Sequence, residues 1–168
     1  MAPLQRIAIR DPAAARPLQV LLERCCEFIQ LVEGHPVRPD EAERLLEELA
    51  PGRSHDDKHV LGFFEDSPDQ LVGMADVTRG YPAAGDWWIS LLLFDPTARG
   101  RGLGERAVVE LHDWFRREGG AASWLIVQVQ NPDGLRFWSR MGYTIVDQRV
   151  QPLEGGGENR VWRMRAAL

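Results

Sequence analysis

Residues 87–94 read Trp-Trp-Ile-Ser-Leu-Leu-Leu-Phe, a near-continuous apolar run of the kind that a strand covered on both faces requires. Downstream, Ala107, Val108, Leu111, Trp114 and Phe115 recur at three- and four-residue spacing across residues 104–118, giving one face of a helix that Gly119-Gly120 ends. Residues 124–129 then supply another buried strand. Strand, amphipathic helix and strand in this order call for two parallel strands joined by a right-handed crossover. The chain is thereby committed to a sheet with helices packed on its faces.

The flanking segments extend that sheet. Residues 4–9 alternate apolar and polar before Asp11-Pro12 and predict an opening strand. From 13 to 32, Leu18, Leu21, Leu22, Cys25, Phe28, Ile29 and Val32 keep helical spacing until Gly34 and Pro36, which predicts one continuous helix. Pro39 opens a second helix over 40–50, with Ala42, Leu45, Leu46 and Leu49 on one side and Pro51-Gly52 as its stop. Segments 60–65 and 70–78 are rich in strand formers and flank Asp66-Ser67-Pro68-Asp69, a turn composition that predicts a hairpin. A short helix over 135–141 and strands over 143–150 and 159–164, joined through Gly155-Gly156-Gly157, complete the pattern. The expected order is β-α-α-β-β-β-α-β-α-β-β, an α/β or α+β mixed sheet in a single domain over residues 1–168, with 87–94 near its middle.

A chain of 168 residues with 44% hydrophobic and 27% charged residues has enough length and apolar content to build its own core. Cys25 and Cys26 are adjacent, a poor geometry for a mutual bridge, and match no zinc-ligand spacing. Reduced thiols and a reducing compartment are expected. His35, His55, His59 and His112 show no metal-ligand spacing either, so no metal is expected. The first ten residues lack the features of a secretory signal, and no apolar run approaches the ~20 residues of a membrane-spanning helix. A soluble, cytoplasmic protein is the expectation. A net charge of −5 gives no global attraction to nucleic acid or to an anionic membrane, so any polyanion must meet a local basic cluster.

Such a cluster lies between the apolar run and the helix, at Asp95-Pro96-Thr97-Ala98-Arg99-Gly100-Arg101-Gly102-Leu103-Gly104. The first amides of a helix have no helical acceptor and carry partial positive charge, and a glycine-rich entry lets a phosphate approach them closely. Arg99, Arg101 and Arg106 add formal charge beside the turn. A tight turn alone explains the glycines but not their pairing with two interleaved arginines. The spacing is neither G-x-x-x-x-G-K-[ST] nor a G-x-G-x-x-G in a first βαβ unit, which disfavours nucleoside triphosphates and dinucleotides.

Arg99-Gly100-Arg101-Gly102-Leu103-Gly104 resembles the coenzyme A turn, [QR]-x-x-G-x-[GA], of the GCN5-related N-acetyltransferase superfamily. Asn131-Pro132-Asp133-Gly134-Leu135-Arg136-Phe137-Trp138-Ser139-Arg140-Met141-Gly142-Tyr143 is similar to that family's second block. The resemblance is specific across 91–143 and extends in element order over about 60–164. It implies a GNAT-like acyl-CoA N-acyltransferase fold that uses acetyl-CoA as acetyl donor to a primary amine on a small molecule or peptide. It implies pyrophosphate on the N–H groups of Arg99, Gly100, Arg101, Gly102, Leu103 and Gly104, and a pantetheine arm between strands 87–94 and 124–129. Leu92 and Phe94 would hydrogen-bond that arm through their backbones, and Asn131 would contact the coenzyme. Many relatives pair through their sheets or C-terminal strands, which makes a homodimer one expectation.

Two departures bear on the chemistry. Trp138 stands where many relatives carry a tyrosine that protonates the departing thiolate, and Trp88 where some carry a glutamate base. Indole serves neither role. Asp76, Tyr81 and Asp86 are the candidates for contact with the acceptor, against a plainer reading as turn formers or surface polar groups. Trp124, Trp138 and Trp162 read as core aromatics, while Trp87 and Trp88 alternate across their strand so that one can line the acceptor pocket. Glu27, Glu33 and Glu41 point to a cationic acceptor as readily as to solvated helix faces. Besides an enzyme, the departures admit an acyl-CoA sensor without catalysis, and the helical N-terminus a partner-binding module with a vestigial turn.

Overall fold

The chain runs β1 (Gln5–Ala8), α1 (Ala15–Arg24), α2 (Cys26–Glu33), α3 (Glu41–Glu47), β2 (Lys58–Phe64), β3 (Leu71–Arg79), β4 (Asp86–Phe94), α4 (Leu103–Arg117), β5 (Ala122–Gln128), α5 (Pro132–Arg140), β6 (Thr144–Pro152) and β7 (Glu158–Ala167). This computed structural model describes residues 5–8, 15–65, 70–154 and 156–168; of 5–8 only the backbone is considered. The expected turn at 66–69, Asp11-Pro12, the start of the helix at residue 13 and Gly155 lie outside the described residues. The order of elements is the expected one except that three helices, not two, stand between β1 and β2.

The strands form one mixed sheet in the order β1-β2-β3-β4-β5-β7-β6, with β4 at its middle. All neighbours are antiparallel except β4 and β5, the two strands joined through α4. One face of the sheet packs on α4 around Trp87, Ile89, Ala107, Leu111, Phe115 and Leu125. The other packs on α1 to α3 around Leu18, Leu21, Leu22, Ile29, Met74 and Leu93. A strand with a helical layer on each side must be apolar on both, which is why 87–94 reads as one apolar run.

That run conceals a change of phase. Asp76 pairs with Leu91 and Val77 with Ile89, so Ser90 is an extra residue bulged out of the β3–β4 ladder. Trp87 and Ile89 pack toward α4, and beyond the bulge Phe94 and Leu92 do so while Leu91 and Leu93 turn to the opposite core. Without the extra residue, 87, 89, 91 and 93 would share one face.

The helix expected over 13–32 is two helices. At Cys25 the backbone leaves helical geometry (φ −98°, ψ 22°), and its N–H is shared between the Leu21 and Leu22 carbonyls at 3.1 and 3.0 Å. The buried Cys25 thiol lies 3.5 Å from the Phe94 carbonyl oxygen, at the end of β4. Residue spacing could not reveal this break, because Leu18 to Leu22 and Ile29 reach the same core from both sides of it. The helix expected over 40–50 is shorter, as Glu48 is already extended (ψ 133°). No helix among the described residues is long and apolar enough to cross a membrane.

Candidate active site

The Gly-Arg turn opens α4 as the sequence predicts. Gly100 and Gly102 have φ of 73° and 75°, the left-handed region where a side chain is strained. Gly102 caps the helix without any side-chain hydrogen bond, and the first helical bond runs from Arg106 N–H to its carbonyl at 3.1 Å. The amides of Leu103, Gly104 and Glu105 precede that bond and have no helical acceptor. A Cβ at Gly100 or Gly102 would meet nothing within 4 Å, so the approach to these amides is open. The nearest acidic cap is spent elsewhere: Asp95 accepts from Thr97 N–H (2.9 Å) and Oγ1 (2.6 Å) through one oxygen and from Arg24 (2.8 Å) through the other. A cavity of about 440 Å³ lies over this mouth, bounded by Arg99, Gly100, Gly102, Gly104, Phe137 and Arg140 among others.

The arginines divide. Arg99 stays at the cavity, its Nε donating to the Phe94 carbonyl at 3.2 Å. Arg101 points away and pairs with Glu65 at 2.7 Å, tying the turn to the end of β2. The expectation that its charge reinforces the mouth is corrected by this pairing; what remains there of Arg101 is its backbone.

Strands β4 and β5 pair only through Asp86–Ala122, Trp87–Ser123 and Trp88–Trp124 and then part. Asp95 N–H bonds the Val72 carbonyl at 2.8 Å, which fixes the phase of the β3–β4 ladder: Leu93 and Leu91 face β3, and the peptide groups of Leu92 and Phe94 face the gap. The Phe94 carbonyl is occupied by Arg99, leaving the Phe94 N–H and both groups of Leu92 along the opening. A second cavity, about 320 Å³, occupies this gap between Leu92 and Arg99 on one side and Ile126, Asn131 and Trp138 on the other. Asn131 caps α5, its Oδ1 accepting from Gly134 N–H at 2.9 Å.

Beyond the gap lies a third cavity of about 290 Å³, with Leu92, Gln128 and Trp138 at one end and Glu33, Glu48 and Asp76 in its wall. Of the sequence candidates, Asp76 and Tyr81 line it and Asp86 does not. Asp76 corrects the plain reading of a surface group: it sits mid-strand, 4% exposed, with Oδ2 on Lys58 Nζ at 2.7 Å. Burial pushes its carboxyl above the usual range against the pull of Lys58. Tyr81 packs edge-on against Trp88 (5.4 Å between centroids). Trp87 is in the core against Phe115, so Trp88 is the member of the pair that lines the cavity. Trp138 is not simply a core aromatic, since it packs on the core and lines two cavities. Trp124 is half-buried beneath the Arg163 and Arg165 guanidinium groups, at 5.2 and 5.7 Å. Behind Trp138, Tyr143 is buried with its hydroxyl 2.8 Å from His112 Nε2 and 2.6 Å from Ser123 Oγ. Burial drives this phenol well above its ordinary value, and Tyr143 lines none of the three cavities.

Sequence reasoning missed Glu48, Lys58, Gln151 and Phe28 as cavity residues. Phe28 carried a signal, since it lies at the rim of the apolar stripe; the others come from a loop, a strand start and a strand end, where no spacing marks them. Of the three acidic residues singled out, Glu33 lines this cavity, Glu41 an adjoining one and Glu27 neither. Among the described residues no group of three ligating side chains could hold a metal ion.

Residues 19–143 match the family model described as the acetyltransferase (GNAT) family. The chain belongs to that family. GNAT structures share its fold over nearly its whole length. An acetyltransferase from Thermus thermophilus superposes with a TM-score of 0.75 at 22% identity, covering 99% of this chain and 98% of that one. A PaiA N-acetyltransferase from Thermoplasma acidophilum, solved with coenzyme A, gives 0.72 at 18%, covering 99% and 100%. A spermidine N-acetyltransferase from Vibrio cholerae, solved with CoA and spermine, gives 0.74 at 17%, covering 98% and 95%. In sequence, an uncharacterized protein of Mycobacterium leprae is 29% identical over 100 residues, 59% of this GNAT chain but only 27% of that longer protein.

Proposed function

We propose that the protein is an N-acetyltransferase that moves the acetyl group of acetyl-CoA onto a primary amine of a small molecule or peptide, by direct attack within a ternary complex. The observation that carries this reading is the continuity of three features: uncapped amides at the α4 mouth, the parted β4 and β5, and a pocket beyond them. In this reading the diphosphate is received by the amides from Gly102 to Glu105, with Arg99 adding charge. The pantetheine arm lies along the Leu92 and Phe94 peptide groups, and the Leu92 N–H polarises the thioester carbonyl as charge develops on its oxygen. Asn131, with Oδ1 committed to its cap, offers its side-chain N–H2 to the coenzyme.

The amine nitrogen attacks the thioester carbonyl carbon, the C–S bond breaks, and coenzyme A leaves as thiolate and takes up a proton. Holding both reactants in line supplies much of the acceleration. Trp88 and Trp138 at the reacting end give no proton, so the amine enters neutral and its proton passes to water. Family membership, and solved relatives that carry coenzyme A, agree with this donor.

Calorimetry with coenzyme A followed by a thiol-release assay over an amine panel tests the reading. Binding together with turnover above background supports it, and failure to bind coenzyme A overturns it. Trp88 and Trp138 favour a second reading, an acyl-CoA sensor without catalysis. Binding without turnover of any amine selects that one.

A further inference from the structure

The cavity beyond the gap has two ends of opposite character. Toward the coenzyme it is walled by Leu92, Leu125, Ile126 and Trp138; away from it stand Glu33, Glu48 and Asp76. The same three carboxylates line an adjoining cavity of about 470 Å³ on the far side, so the acidic wall is shared. In that second cavity several of the other charged groups have partners: Glu154 pairs with Arg38 at 2.7 Å, Arg44 with Asp40 at 2.9 Å, and Glu41 accepts from the Arg38 N–H at 2.9 Å, while Glu47 adds a further carboxylate to the acidic side. No ion pair among the described residues includes Glu33 or Glu48.

Two buried acceptors sit in the same wall without a hydrogen-bond partner among the described residues. One is Oδ1 of Asp76, an almost wholly enclosed side chain whose Oδ2 is taken by Lys58 Nζ in the same wall; the other is Oε1 of Gln151. A buried polar atom left unpaired is destabilising, and both are acceptors, so what satisfies them is a donor. The repulsion agrees: Glu48 adds to the burial that raises the Asp76 carboxyl, and Glu33 is raised by enclosure first and then by Glu48 and Glu41. Trp88 and Tyr81 line the same cavity, and aromatic rings are a further preference for a cation.

A carboxylate cluster stabilises an ammonium ion in its protonated form, and a protonated amine has no lone pair with which to attack. The group held by Glu33, Glu48 and Asp76 is therefore not the group that reacts. We infer that the acceptor is a diamine: one amine reaches the thioester past Trp138, while a second, cationic amine is held by Glu33, Glu48 and the free oxygens of Asp76 and Gln151. This inference rests on the proposed N-acetyltransferase reading and names its substrate class.

The test uses the full chain and four probes: diaminopropane, putrescine, butylamine, which lacks the second charge, and γ-aminobutyrate, which reverses it. With coenzyme A binding established and acetyl-CoA saturating, kcat/KM for the better diamine should exceed that of butylamine at least tenfold, with γ-aminobutyrate below both. In Glu48→Gln and the doubly substituted Glu33→Gln, Glu48→Gln, the ratio of diamine to monoamine should collapse toward one. Both side chains keep solvent-exposed surface at the rim, although neighbouring atoms crowd the Glu33 carboxyl, so these variants should fold, which circular dichroism verifies. A kcat/KM for the better diamine less than tenfold above that of butylamine, or a ratio unchanged by the substitutions, overturns the inference while leaving the transferase reading intact. If no amine is turned over, calorimetric titration of putrescine into the coenzyme-loaded protein decides: salt-sensitive binding weakened at least fivefold by Glu48→Gln supports the inference, and absent or unaffected binding overturns it.

Discussion

Gly102 occupies the left-handed region at the head of α4 with open space above it. A side chain there costs about 1–2 kcal/mol of backbone strain and stands where a diphosphate would approach. Gly102→Trp is expected to keep its circular dichroism spectrum and lose measurable coenzyme A binding by calorimetry. Retained affinity would place the coenzyme elsewhere. His112 makes a different prediction. Burial, aided by Arg116, holds its imidazole down to about 4 from an ordinary 6.5. Between those values the unfolded chain binds the proton and the folded chain does not, so stability falls as pH drops from 6.5 toward 4, by up to about 3 kcal/mol. Denaturation melts across that window should show the loss, and His112→Gln should flatten it. In the proposed reading the amine enters neutral and its proton passes to water, so kcat/KM should rise about tenfold per pH unit until the acceptor amine's own pKa. A limb that stays fixed when the amine is changed would reveal a protein base.

At the level of elements, the sequence carried the central βαβ unit without ambiguity because α4 has one apolar stripe and β4 has none. The Ser90 bulge was invisible for the same reason: a strand apolar on both sides gives no alternation from which a slipped phase could be read. The break at Cys25 was invisible because both sides of it feed one core. The second block was legible as a short helix, but α5 opens at Pro132 rather than at Leu135, on an Asn131 cap that the sequence reading did not assign and that can be measured. Asn131→Ala removes the Oδ1 acceptor of Gly134 N–H and should cost about 1 kcal/mol in chemical denaturation. The same change should weaken coenzyme A binding, since α5 carries Phe137 and Trp138 to the edge of the gap.

For the molecule as a whole, the mouth of α4 was legible because its signal is local, a handful of consecutive residues between two strong elements. The pocket beyond was not, because Glu33, Glu48, Asp76 and Gln151 come from four separate parts of the chain and meet only when the sheet closes. Coenzyme A that binds only the folded chain should add about 2.7 kcal/mol of stability at a hundred times its Kd, read as a rise in melting temperature absent in Gly102→Trp. A sheet whose halves join through three residue pairs is also a sheet with an unfinished ladder at its centre. Amide hydrogens such as that of Leu92 should exchange quickly in the free protein and slowly once the coenzyme lies alongside. Under the proposed transferase reading, product departure would then unzip part of the molecule's own scaffold on every cycle, and the tempo of turnover would be set there rather than at the thioester.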